Sequence, residues 1–290
     1  MIVVAGEALI DLVAGGEGGD GGLPALLPRR GGGPYNTAVA LGRLGSPAAF
    51  CSRVSTDAFG EALLDGLREA GVDVSLVQRG GEPTTLAVAN VGPDGSARYG
   101  FYADGTADRL FALPGALPEE ARALCLGTCS LVLEPGASAY EALLRRESGR
   151  GLFTLLDPNV RPGLIPDPDA YRARFRSWLP YVSLLKLSRE DARWLGGSAG
   201  EWLAAGPSAV VMTHGADGLT VHTRAGATYA VPAEPVCLPD TIGAGDAVNA
   251  ALLHRLSSVP LASLDEAGWR DVLAFAAKVA AEACAERRTG

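Results

Sequence analysis

Residues 240–253 read DTIGAGDAVNAALL. Three small residues, Gly243, Ala244 and Gly245, stand directly before Asp246 and an apolar helical pattern. Such residues leave the backbone bare. A bare helix N-terminus exposes unpaired N–H groups at the positive end of the helix dipole. The turn therefore suits an anion, most often phosphate. Gly-rich turns before helices are common, however, and on this stretch alone Asp246 reads equally well as an ordinary first-turn residue. A second cluster, GGGPYNTAVALGRLG at 31–45, puts Asn36, both donor and acceptor, at the start of another helix. Taken alone, a helix-entry loop is its commoner explanation. It has neither the G-x-G-x-x-G spacing of a dinucleotide fingerprint nor the Gly-Lys-Ser/Thr of a P-loop.

The elements that must position these residues alternate along the chain. MIVVAG, AAFCSRV, CSLVLEP, LFTLLDPN, SLLKLS and AVVMTHG read as buried strands. Between them PYNTAVALGRLG, DAFGEALLDGLREAG, SAYEALLRRESG, DAYRARFRSWL and REDARWLGG read as helices. The repeated alternation predicts an α/β fold whose mostly parallel central sheet is covered by helices on both faces. Functional residues should then collect at the carboxyl ends of the strands. Two segments break the rhythm. TTLAVANVGPDGSARYGFY, 84–102, is a hairpin pattern around Pro-Asp-Gly, and 9–30 is non-helical and Gly-rich, with a loop expected at 15–22. The expectation is one domain, 1–290, with a small β lid contributed by about 9–30 and 84–102.

With 48% hydrophobic and 20% charged residues, the chain has material for a sizeable core. A net charge of −8 argues against nucleic acid or an anionic membrane surface as the main partner. Five scattered cysteines, Cys51, Cys125, Cys129, Cys237 and Cys284, form no zinc spacing and read as reduced thiols. The amino end lacks a basic leader and carries Glu7 and Asp11 within its apolar run, so a cytoplasmic protein is expected. Lysine occurs only at 186 and 278, against many arginines.

The two glycine clusters together are more specific than either. A Gly-Gly-x-x-x-Asn helix entry followed late by Asp-Thr-x-Gly-Ala-Gly-Asp resembles the PfkB (ribokinase-like) family of carbohydrate kinases. GEALIDL resembles that family's first strand with its sugar-binding aspartate, here Asp11. DPNVRP resembles the segment of fructokinase-type members, KLSREDARWL the Asn-x-x-Glu region, and VVMTHGADG the strand and turn that approach the nucleotide. The resemblance implies a three-layer sandwich with a β lid, and an ATP- and Mg²⁺-dependent kinase. It makes Asp246 the catalytic base beside an anion hole of Gly243, Ala244 and Gly245. Asp11, Gly32, Gly33, Asn36, Asn159 and Arg161 would line the sugar site, although a surface salt bridge explains Arg161 nearly as well. Lys186, Ser188, Thr213, Gly215, Gly218, Gly243 and Gly245 would meet the nucleotide, although an ordinary strand-end lysine would look like Lys186.

The Asn-x-x-Glu pattern here reads Ser188-x-x-Asp191 with Glu190 adjacent, and either acid would hold Mg²⁺ through water. Asp240 and Ile242 would offer backbone carbonyls to a monovalent cation such as K⁺. The expected activity is transfer of the γ-phosphate of ATP to a primary hydroxyl of a sugar, fructose first. Within the family the alternatives are 2-keto-3-deoxygluconate kinase, ribokinase or a nucleoside kinase; outside it, a non-catalytic sugar or nucleotide sensor. Pairing of two subunits through the lid is also implied.

Overall fold

The computed structural model describes residues 1–15, 25–91, 97–235 and 243–286. In chain order the first half comprises β1 (Ile2–Ala5), β2 (Leu9–Ala14), β3 (Leu26–Gly31), α1 (Gly33–Arg43), β4 (Ala48–Ser55), α2 (Ala58–Glu69), β5 (Val77–Gly80), β6 (Leu86–Val91) and β7 (Ala97–Tyr102). Then follow β8 (Ala123–Gly127), α3 (Gly136–Gly149), β9 (Phe153–Asp157), α4 (Pro168–Trp178), β10 (Leu184–Ser188), α5 (Arg189–Leu195) and α6 (Ala199–Ala205). The last elements are β11 (Ala209–Thr213), β12 (Leu219–Thr223), β13 (Thr228–Val231), α7 (Ala244–Leu256) and α8 (Glu266–Glu286).

Among the described residues nine strands form the main sheet, in the order β13-β12-β11-β10-β9-β8-β1-β4-β5. All neighbours are parallel except β11–β12 and β12–β13. Side chains alternate across a strand, so β1 feeds two cores. Ile2 and Val4 pack with α1, α2, α7 and α8, whereas Val3 and Ala5 pack with α3, α4, α5 and α6. A strand buried on both faces must read as an unbroken apolar run, which is why MIVVAG was legible. The fold is the ribokinase-like α/β sandwich expected.

The run CSLVLEP is not a strand. The strand lies upstream at Ala123–Gly127, and Thr128–Leu131 forms a single 3₁₀ turn. Polar anchors hold that turn out of the sheet. The Ser130 hydroxyl donates to the Gly127 carbonyl at 2.6 Å, and the Ser130 N–H donates to the Glu7 carboxylate at 3.0 Å.

A second sheet of four strands, β3-β2-β6-β7, stands apart from the first. Its β6–β7 pairing is the expected hairpin, with the turn at 92–96 outside the described residues. The 9–30 segment contributes a second antiparallel pair, β2 and β3, joined to the hairpin through parallel β2–β6. Of the loop expected at 15–22, all but Gly15 falls within 16–24, which lies outside the described residues. Two aspartates fasten the base of the hairpin. Asp57, the N-cap of α2, accepts from the Thr84 N–H at 2.8 Å and the Thr84 hydroxyl at 2.7 Å. Buried Asp108 accepts from the hydroxyls of Thr85 at 2.5 Å and Thr106 at 3.0 Å. Among the described residues no helix is long and apolar enough to cross a membrane.

Candidate active site

The order of the main sheet places β1 between β8 and β4. The chain winds outward to β5 on one side and then through β8 to β13 on the other, so the connections after β1 and β8 diverge. A crevice at the carboxyl ends of the strands is the expected result. A cavity of about 950 Å³ opens there, reached by β2 and β7 of the small sheet through Leu9, Asp11, Tyr99 and Phe101. Every candidate site residue named from the sequence lines it, apart from Asp240 and Ile242, which lie outside the described residues.

Asp246 is the third residue of α7, whose N-cap, Gly243, has φ 79° in the left-handed region that favours glycine. Its carboxylate is buried and accepts a hydrogen bond from Asn36 Nδ2 at 2.9 Å. The Thr37 hydroxyl meets the Asp246 carbonyl at 3.3 Å, so α1 and α7 are locked together by adjacent residues. Burial pushes the Asp246 carboxyl up to about 7; Asp157 adds to the rise, while Asn36, Lys186 and Arg161 oppose it. The bare backbone of Gly33 gives the acid its open side. A Cβ there would lie 3.3 Å from Asp246 Oδ1 and 3.4 Å from Asn159 Nδ2, and would overlap Thr128 Cγ2 at 2.6 Å.

The sugar-site candidates surround that point, with one correction. Asp11 does not end the first strand: β1 stops at Ala5, and Asp11 belongs to β2 of the small sheet. Its carboxylate lies against the bare Gly31 of β3, where a Cβ would come within 2.1 Å of Oδ2. Asn159, at φ 37°, accepts from Arg161 Nη1 through Oδ1 at 2.6 Å and through its carbonyl at 3.0 Å. Arg161 has no carboxylate partner among the described residues, so the surface salt bridge is not its role there.

Lys186 is not a strand-end lysine reaching for water. It is 3% exposed, and its Nζ donates to Asp157 Oδ2 at 2.8 Å. Burial alone would lower its pKa; Asp157 first, then Asp191 and Asp246, outweigh that and raise it, so the ammonium stays charged. Ser188 caps α5 in a closed capping box. Asp191 completes the box, its carboxylate accepting from the Ser188 N–H at 3.0 Å, the Ser188 hydroxyl at 2.7 Å and the Val160 N–H at 2.7 Å. A carboxylate with three donors on it is poorly placed to bind an ion. Glu190, exposed on the cavity wall, is the better of the two for Mg²⁺, which keeps most of its waters and usually takes one or two carboxylates beside phosphate oxygens. Among the described residues no group of three His, Cys, Asp or Glu could hold a metal by itself.

The far end of the cavity is formed by Thr213 at the end of β11, by Gly215 and Gly218 in the turn before β12, and by α8. Ala277, Ala280, Ala281 and Cys284 of α8 line it at helical spacing. Sequence reasoning passed over that helix. It also passed over Glu7, Thr128, Asp157 and Asn249. Asp157 begins the DPN run already noticed for Asn159, and Asn249 lies one helical turn beyond Asp246, so both had a positional signal.

The whole chain, residues 1–290, matches the family described as pfkB family carbohydrate kinase. The chain belongs to that family. It is 38% identical to a fructokinase of Rhizobium leguminosarum bv. trifolii, over 93% of this chain and 86% of that protein. The fructokinase of Xylella fastidiosa, solved with bound ATP, superposes with a TM-score of 0.84 at 29% identity, over 98% of this chain and 91% of the other. The fructokinase of Vibrio cholerae O395, solved with fructose, ADP and calcium ion bound, gives 0.83 at 27% identity, over 98% and 92%. As a pfkB carbohydrate kinase, the protein is a phosphotransferase acting on an alcohol group with ATP as donor.

Proposed function

We propose that this pfkB kinase phosphorylates fructose at a primary hydroxyl. The observation that carries the chemistry is the Asp246 carboxylate, desolvated, hydrogen-bonded to Asn36 and raised to about 7 beside the bare turn 243–245. A general base works best with a pKa near the operating pH. Asp246 takes the proton of the sugar hydroxyl as its oxygen bonds to the γ-phosphorus. The bond from that phosphorus to the β–γ bridging oxygen breaks, and ADP leaves with the electron pair. Backbone N–H groups of the α7 N-terminus face the charge on the transferred group. Mg²⁺ supplies charge neutralisation at the phosphates, and Glu190 is the residue that would hold its waters.

Fructose is supported by the fructokinases that align over nearly the whole chain, and by a site offering acceptors (Asp11, Asn36, Asn159) for a hydroxyl-rich ligand. The reading places the enzyme in the cytoplasm with its ATP. It makes the small sheet a dimer surface, since that sheet carries Leu26, Leu27 and Tyr102, three of the five large apolar side chains exposed among the described residues. Sedimentation at micromolar concentration tests the dimer, and a monomer removes it. ADP release measured with fructose, ribose, 2-keto-3-deoxygluconate and a set of nucleosides tests the substrate. Fructose should give the highest kcat/KM; a higher value for any other acceptor overturns the assignment.

A further inference from the structure

Beside the turn 243–245 lies a buried polar group that joins Lys186 to two residues, Asp157 and Asn249, that the sugar and nucleotide contacts do not account for. Lys186 on β10, Asp157 on β9 and Asn249 on α7 are each 3% exposed or less. Asp157 Oδ2 accepts from both Lys186 Nζ and Asn249 Nδ2, at 2.8 Å each. A purely structural cluster would be expected to saturate its buried atoms. This one does not, because Asp157 Oδ1 and Asn249 Oδ1 are buried with no partner among the described residues. Lys186 likewise has three N–H donors and, among the described residues, only Asp157 to accept from them. A buried ion pair is often no more stabilising than well-packed apolar residues, so an incompletely bonded one beside an active site points to chemistry.

The direction of the spare donors is visible at Gly245. A Cβ built there would lie 2.8 Å from Lys186 Nζ. A side chain at 245 would therefore collide with the ammonium, which lies directly against the first turn of α7. We propose that Asp157 and Asn249 are positioning residues that seat the Lys186 ammonium under Gly245, where its free N–H groups meet the phosphoryl group being transferred. This rests on the kinase reading given above. The same seat sets the charge balance around Asp246, which faces Asn36 on α1, Asp157 on β9, Lys186 on β10, Arg161 after β9 and the neutral thiol of Cys125 on β8.

The test uses Asp157→Asn and Asn249→Ala in the full-length enzyme, with folding checked by thermal melting. Asp157→Asn should lower kcat by roughly ten- to a hundredfold, the scale of losing an orienting partner, while the Michaelis constant for fructose changes less than about threefold. Removing the Asp157 charge leaves Lys186 and Arg161 unopposed near Asp246, so the acid limb of the kcat–pH profile should move to lower pH. Asn249→Ala should lower kcat by about three- to tenfold with the same split, and it decides the matter if Asp157→Asn does not fold. A folded variant with wild-type kcat and an unmoved acid limb overturns the proposal. Titration with a non-hydrolysable ATP analogue and with ADP needs no turnover and so separates this idea from the kinase reading. The analogue should weaken in Asp157→Asn by about five- to twentyfold and ADP by less. Equal weakening of both, or of neither, also overturns it.

Discussion

Two helices begin at the rim of the same cavity with an aspartate as their third residue, α5 with Asp191 and α7 with Asp246. The two acids are equally buried, 6% and 7% exposed. They differ in what stands at the N-cap. Ser188 caps α5, and its hydroxyl and N–H close a capping box on Asp191 while Val160 N–H takes the other oxygen. Gly243 caps α7 and has no side chain, so Asp246 receives its hydrogen bond from across the site, from Asn36. The N-cap residue thus sorts an acid at this position into a fixed structural part or a group left open to react. One residue type, three positions earlier, carries the distinction.

The largest expected effect follows directly. Asp246→Asn keeps the side chain's size and removes the proton acceptor, so kcat with fructose should fall by roughly two to four orders of magnitude, the scale of general-base catalysis. Fructose binding, measured by calorimetry, should weaken but survive. Turnover near the wild-type level would remove Asp246 from the role of base and erase the contrast with Asp191.

The pH dependence sharpens the same contrast. With its carboxyl raised to about 7 by burial, Asp246 must lose its proton to work, so kcat/KM should fall about tenfold per unit as pH drops below 7. The stability consequence has the opposite sign. Folding raises the pKa from 3.8, so the favourable contribution is complete below about 4 and is lost progressively as pH rises to about 7. Asp246→Asn should therefore unfold at a higher temperature than wild type at pH 8, by on the order of a few kcal/mol in stability, with a smaller difference at pH 5. An equal or larger gain at pH 5 would show that the wild-type carboxyl is not raised.

Much of this was legible because the sequence signals were local. The glycine turn before Asp246, the Asn36 helix entry and the apolar runs of β1, β9, β10 and β11 each depend on residues adjacent in the chain. What escaped depended on residues far apart. CSLVLEP is as apolar as a strand, but Ser130 and the distant Glu7 hold its first residues in a turn. Asp11 was read onto the wrong strand because the break after Ala5 moves the chain into a second sheet, a change of partner that no local pattern records. Lys186 had two equal readings until Asp157, on the neighbouring strand, placed its ammonium inside. The capping role of Asp191 was present in Ser-x-x-Asp from the start, since that spacing before an apolar run is itself a helix-start signal. The family pattern makes either Asp191 or Glu190 a Mg²⁺ ligand, and the closed capping box on Asp191 leaves Glu190 the better placed of the two.

Asp191→Ala asks whether the capping assignment is right. It removes the acceptor of three hydrogen bonds at the α5 N-terminus, two of them from backbone N–H groups, and should destabilise the fold by about 1–3 kcal/mol in urea unfolding. The remaining folded enzyme should keep its Mg²⁺ dependence, whereas Glu190→Gln should raise the Mg²⁺ concentration needed for half-maximal rate without lowering stability. The reverse pattern, with Asp191→Ala stable but starved of Mg²⁺, would return the metal role to Asp191.

The smallest expected effect concerns Arg161, which turns Nη1 back onto Asn159 and the Val160 carbonyl of its own loop. On a neutral sugar its contribution is that of an orienting group for Asn159 plus ordinary hydrogen bonds to hydroxyls. Arg161→Ala should then weaken fructose by about 1–2 kcal/mol and leave kcat nearly unchanged. An acidic sugar would meet the same guanidinium as a charge-paired, two-pronged partner, and the loss would be larger. Comparing fructose with 2-keto-3-deoxygluconate in both wild type and variant separates the cases. If wild type prefers the acid and Arg161→Ala abolishes that preference, fructose is the wrong sugar. Asp246 would keep its role as base for whichever hydroxyl is presented.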